Sequence, residues 1–156
     1  MICSIISTGF ERTLINKNEY EEPYLSIKKQ LFEIISSAQT DGADSFYINS
    51  EYGIPLWTAE IICTLKKLNN ISLNIIVPYE EQAAQWSENL RDRYFAVHEK
   101  ADTIRFASTQ YYNGCYATAD KLLAEYSDIV YIFGSRIETV PMLRYMPADR
   151  IRWVLM

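Results

Sequence analysis

SFYINSEYGIPLWTAEIICTLKKL, residues 45–68, decides the fold. Ser45–Asn49 is a short β-rich run, Ser50-Glu51-Tyr52-Gly53 turns the chain, and a long apolar helical pattern follows. Pro55 suits the first turn of that helix, because its missing N–H would have no helical partner there and its φ is already helical. A strand therefore feeds a helix through a tight loop containing Gly53. In an open α/β sheet this geometry aims free backbone N–H groups and the positive helix end at the crevice beyond the strand's carboxyl end. The turn is the expected place for an anion.

Working outward, Ile2–Ser7 is nearly all apolar, as expected of a strand covered on both faces. It ends in Thr8-Gly9-Phe10-Glu11-Arg12, and the polar stretch Asn16–Glu22 reads as a connection. From Tyr24 to Gln39, Ile27, Leu31, Ile34, Ile35 and Ala38 fall at helical spacing, with Asp41-Gly42 as a stop. The central helix is predicted from Pro55 to Leu68. Ser72–Val77 is a third strand closed by Pro78. Glu80-Glu81-Gln82 is predicted to open a helix with Ala83, Trp86, Leu90, Tyr94 and Val97 on its inward stripe. Thr103–Ala107 is a fourth strand, Ser108–Gly114 a loop, and Tyr116, Ala119, Leu123 and Tyr126 mark a fourth helix. Ile129–Phe133 is a fifth strand, followed by Gly134-Ser135-Arg136. Met142–Met146 is a short apolar piece between prolines, and Ile151–Leu155 reads as a sixth, edge strand. Strands alternating with helices predict an α/β fold: a Rossmann-like three-layer sandwich with a mostly parallel sheet of five or six strands, in one domain over residues 1–156.

A net charge of −5 argues against a binder of phosphate backbones, so nucleic acid is not an expected partner. Three cysteines, widely separated and without C-x-x-C spacing, indicate neither a disulfide framework nor a zinc ribbon. His98 is the single histidine, so one chain cannot build a multi-histidine metal site. No metal and no cofactor are expected. The start MICSIIS lacks a basic region and a long apolar core, and no apolar run reaches the roughly 18 residues of a membrane span. A cytoplasmic protein without a membrane partner is the expectation. Its tyrosine-rich loop and helix surfaces suit a homo-oligomer.

These residues resemble the SLOG superfamily of Rossmann-like proteins, which includes the DNA-processing protein DprA and the Lonely Guy phosphoribohydrolases, and most of all its YpsA-like branch. Thr8-Gly9 resembles that branch's T-G-[aromatic]-[basic] opening, and Gly53 to Glu60 its G-x-[acidic]-x-W-A-A-E segment. Pro78, Gln82, Trp86, Tyr94, Ala101-Asp102, Tyr111 or Tyr112, Tyr116 and Ser127-Asp128 fit later positions. Departures fall where chemistry is expected. Glu11 replaces a basic residue, Ser50 a glycine and Pro55 an acid. Ala117 and Asp120 stand where related members often have an R-x-x-N pair, and the Gly-Gly-Thr turn after the fifth strand is missing. The P-G-G-x-G-T-x-x-E motif of Lonely Guy enzymes is also absent. The resemblance implies a nucleotide or nucleotide-derived ligand, bound by a non-catalytic sensor or adaptor. An enzyme cleaving an N-glycosidic bond, and a self-associating scaffold with a vestigial pocket, are the alternatives.

A phosphate is expected between Thr8-Gly9-Phe10 with Arg12 and Ser50-Glu51 with Gly53, held by backbone N–H groups, the Thr8 and Ser50 hydroxyls and the Arg12 guanidinium. Trp57, and Tyr111 or Tyr112, offer a base a stacking face, and Gly134 with Ser135 completes the candidate set. Glu60 is the weak candidate for a catalytic carboxylate, while Trp86 and Tyr94 are expected in the core and Cys115 as an ordinary thiol. Gly53→Asp is expected to weaken ligand binding more than folding.

Overall fold

The computed structural model describes residues 1–13, 18–135 and 146–155. Six strands form one sheet: β1 (Ile2–Ser7), β2 (Ser45–Asn49), β3 (Ser72–Val77), β4 (Thr103–Phe106), β5 (Ile129–Phe133) and β6 (Ile151–Val154). Their order is β4-β3-β2-β1-β5-β6, and every adjacent pair is parallel. Among the described residues four α-helices connect them: α1 (Tyr24–Thr40), α2 (Ile54–Leu65), α3 (Glu88–Lys100) and α4 (Cys115–Tyr126). The Rossmann-like layering expected from the sequence is present, and the sheet is wholly parallel.

Period-two alternation divides the strand residues between two cores. Cys3, Ile5, Phe46, Ile48, Leu73, Ile75 and Val77 face α1 and α2, where Ile27, Leu31, Ile35, Ile54 and Ile62 meet them. Ile6, Ile76, Val130 and Ile132 face the opposite way, onto Ala119 and Leu123 of α4. Burial on both faces is why these strands read as continuous apolar runs. The chain runs outward from β1 through β2 and β3 to β4, then crosses back to β5 on the other side of β1. This reversal puts the topological switch point at the carboxyl ends of β1 and β5.

Two boundaries differ from expectation. The third helix begins at Glu88, with Ser87 as its N-cap accepting from Leu90 N at 3.4 Å, rather than at Glu80. Residues 79–86 form turns, so Ala83 and Trp86 precede the helix. A capping serine followed by an acid ended the ambiguity in favour of the later start. The central helix stops at Leu65, and turns continue to about Asn69. The apolar piece 142–146 lies outside the described residues except for Met146, which is buried.

Candidate functional site

The turns after β1 and β2 do meet. The residue that joins them is Glu11, in the short 3-10 turn Phe10–Thr13. Its carboxylate is 3% exposed, accepts from the Ser7 hydroxyl, and accepts from Ile54 N, the first amide of α2, at 3.0 Å. The protein's own carboxylate therefore occupies the position where a phosphate was expected. Gly53 has φ 88°, and a Cβ placed on it would lie 2.5 Å from Glu11 Oε1. The glycine meets both the backbone conformation and the close approach of Glu11.

Several of the other expected donors are engaged within the protein, while the buried Thr8 hydroxyl has no partner among the described residues. Thr8 N donates to Phe133 O, Gly9 N to Ser7 Oγ, Ser50 N to Ile76 O and Glu51 N to Asn49 Oδ1. The Ser50 hydroxyl, also buried, donates to Gln82. Gly134 packs against the Thr8 side chain, where any Cβ would collide with it, and its N–H donates to Val154 O. Ser135 follows it, half-buried, while Phe10 packs on the larger core. Arg136 lies outside the described residues. The two turns thus lie side by side, and between them Glu11 holds the first α2 amide while several of the other named amides bond within the protein.

On the α4 side of these turns a polar cluster remains. Asn49, the last residue of β2, donates from Nδ2 to Asp120 Oδ1 at 3.2 Å, and its own carbonyl oxygen Oδ1 accepts the Glu51 amide. Tyr116, in the first turn of α4, stands near enough to Glu51 for its hydroxyl to favour the ionised carboxylate. Burial raises the Glu51 carboxyl above its ordinary range, and nearby Glu11 adds to this against the opposing pull of Arg12. Burial, reinforced by Glu51, pushes Asp120 up to about 6. Burial and Glu51 likewise raise the Tyr116 hydroxyl. Two carboxyls that are reluctant to ionise, an amide and a phenol therefore converge at the carboxyl edge of the sheet. Beyond Tyr116, the Tyr79 ring packs edge-on to both Tyr116 and Tyr111, with centroids 6.3 and 5.4 Å away, and Tyr111 is 64% exposed.

On the α1–α2 side stands a different group. Arg12 Nη1 donates to Tyr52 O at 3.1 Å and its guanidinium lies 5.5 Å over the Tyr52 ring. Trp57 is buried, edge-on to Tyr24, and donates its indole N–H to Glu19. Arg93 bonds to both Glu19 and Glu60, with its closest contact to each at 2.5 Å. Glu60 thus ties α2 to α3, about two helical turns from the strand ends, and stands apart from the cluster at α4. His98 is half-buried beside Tyr94, and Trp86 bridges Tyr52 and Tyr94 edge-on. Cys115 is buried at the start of α4.

The structure therefore separates the predicted site residues. Thr8, Gly9, Ser50, Glu51 and Gly134 gather at the strand ends, Arg12 and Gly53 border the α1–α2 side with Trp57, and Tyr111 lies on the outer rim. Sequence reading missed Asn49 as a site residue and recorded Asp120 only as a departure. An asparagine closing a strand before a turn is the one available cue for Asn49, since its side chain readily accepts the amide two residues on. Among the described residues no group of three or more His, Cys, Asp or Glu side chains could hold a metal ion. None of their helices is long and apolar enough to cross a membrane.

The UPF0398 protein of Macrococcus caseolyticus is 31% identical over 116 residues, covering 71% of this chain and 61% of that protein. The UPF0398 proteins of Halalkalibacterium halodurans and Listeria innocua are 33% and 35% identical, over 56% and 55% of this chain and 47% and 48% of their own lengths. The chain thus spans about half to three-fifths of the length of these relatives. The family model for YpsA matches residues 5–148. By that match over most of its length, the chain belongs to the family described as the YspA SLOG family.

Proposed function

We propose that the chain binds a nucleotide-derived ligand by its nucleoside part, as a non-catalytic sensor or adaptor, in the crevice between the strand ends and α4. The observation that carries this is the convergence of Asn49, Glu51, Asp120 and Tyr116 beside the switch point of a parallel sheet. Carboxyl oxygens and an amide suit the hydroxyls of a sugar, which donate where a phosphate only accepts. The Tyr116, Tyr79 and Tyr111 rings extend from that cluster as a stacking wall for a base. The self-capped α2 terminus argues against a ligand whose main anchor is a phosphate there.

The test is calorimetry and thermal shift with adenosine, AMP, ADP-ribose and the 2′-deoxy counterparts. Saturable binding of a ribosyl ligand, weakened at least about tenfold (about 1.4 kcal/mol) by Glu51→Gln or Asp120→Asn, is expected. Binding of inorganic phosphate alone, or of no ribosyl ligand, overturns the reading. Asp120, pushed up to about 6, favours one second reading, in which it acts as general acid on an N-glycosidic bond. Free base released on incubation, and abolished in Asp120→Asn while binding persists, distinguishes it.

A further inference from the structure

A cavity of about 380 Å³ opens between the 3-10 turn, α1, α2 and the start of α3, and none of Asn49, Glu51, Asp120 and Tyr116 lines it. Tyr24, Tyr52 and Trp57 form its apolar walls, and Glu11, Arg12 and Glu19 supply its polar atoms. Its volume lies in the range of small-molecule sites, about 300–1,000 Å³. Three aromatic rings beside two carboxylates suggest at first a cage for a cation. The contacts exclude that assignment. The Tyr52 face already carries Arg12, and Lys28 Nζ lies 5.1 Å over the Trp57 ring. Glu19 accepts from Trp57 and Arg93, and Glu11 accepts from Ser7 and the α2 amide.

Arg12 is the group left under-used. Among the described residues its guanidinium makes one hydrogen bond, to Tyr52 O, and its nearest carboxylate oxygen is Glu11 Oε1 at 4.0 Å. A guanidinium carries five N–H donors in a planar fork matched to a carboxylate. Gly9 lets it lie close, since a Cβ there would sit 2.5 Å from Arg12 Nη2. We propose that this cavity is a second ligand site, for a planar aromatic carboxylate whose ring enters between Tyr24, Tyr52 and Trp57 and whose carboxylate meets Arg12. The inference does not rest on the nucleoside reading, because it uses a different cavity.

The test follows the Trp57 indole N–H of the full chain by proton–nitrogen correlation NMR, with Trp57→Phe to assign the peak. Benzoate is the probe, benzyl alcohol its uncharged counterpart and tetramethylammonium the cationic control. Benzoate is expected to shift the Trp57 peak saturably and benzyl alcohol at least tenfold more weakly. Arg12→Met should weaken benzoate at least tenfold, and Leu90→Trp, which enlarges a rim side chain without touching the guanidinium, should block it. Asp120→Asn should leave benzoate binding unchanged. No saturable shift, a response to tetramethylammonium instead, equal binding by folded Arg12→Met, or loss in Asp120→Asn each overturns the proposal. If Arg12→Met does not fold, the Leu90→Trp, benzyl alcohol and Asp120→Asn comparisons still decide.

Discussion

Glu11 is the residue whose removal tests the organisation of the site most directly. Glu11→Ala deletes a buried carboxylate that accepts from Ser7 Oγ and from Ile54 N at the start of α2. Hydrogen bonds to a charged group contribute about 1.5–3 kcal/mol each, and a charge at a partly buried helix end up to about 2 kcal/mol. These overlap, so a loss of roughly 3 kcal/mol is expected from the three together. At about 2–4 °C per kcal/mol for a chain of this size, Tm should fall by about 6–12 °C. Glu11→Gln keeps an acceptor for Ile54 N and loses the charge, so it should fall by a smaller amount, roughly 1 kcal/mol. The truncation also vacates a helix N-terminus, which favours anions. Sulfate should therefore stabilise Glu11→Ala more than the wild type in differential scanning calorimetry at matched ionic strength. A drop under about 2 °C for Glu11→Ala, or equal sulfate responses in the two proteins, refutes the self-capping argument.

Gly53→Asp should damage folding first, because a side chain at φ 88° is strained and would lie against Glu11; a Tm unchanged to within about 1 °C would count against this. The His98 imidazole is held below its ordinary value by burial, with Nδ1–H donating to Tyr94 O at 2.6 Å and Nε2 unpartnered among the described residues. Its contribution is present above about pH 6.5, where the unfolded histidine is neutral too, and is lost as pH falls below that value; urea midpoints of His98→Phe should lack that slope. Asp120 acts in the opposite sense. Its carboxyl is pushed up to about 6, so the folded state takes a proton between that pH and the ordinary 3.8, and stability is gained as pH falls through this window. Asp120→Asn should remove that gain and melt higher than the wild type at pH 7.5. Arg93→Met leaves Glu19 and Glu60 without their shared partner and should cost roughly 1–2 kcal/mol in urea unfolding, less in high salt.

The fold was legible because parallel strands buried on both faces leave uninterrupted apolar runs, and because amphipathic helices repeat between them. The Ser45–Asn49 strand, Pro55 in the first turn of α2 and the edge strand from Ile151 could all be read from residue type alone. The third helix starts later than expected because Glu80 and Glu81 suit a helix start as well as Glu88 does, and the Ser87 cap is the discriminating residue. The candidate site was half legible. That the turns at Gly9 and Gly53 are neighbours follows from topology, but who occupies the α2 terminus depends on a side chain reaching across 43 positions. By residue type alone Glu11 is only a departure from a basic residue. Its chemistry, an acid where an external acid was expected, explains the substitution once the two turns are seen together. The Asn49–Asp120 pair joins residues 71 positions apart and leaves no local pattern.

Strand β4 carries a separate consequence. All four of its residues are exposed, Ile104 and Phe106 by 40% and 49%, and on its outer side it pairs with no other described strand. Such a rim is a template on which another molecule's backbone can add a strand. Arg105, laid over the Tyr126 ring at 5.3 Å, puts a charge in the middle of that short segment. A charge so placed opposes strand-on-strand stacking between molecules, which offsets the exposure of Ile104 and Phe106.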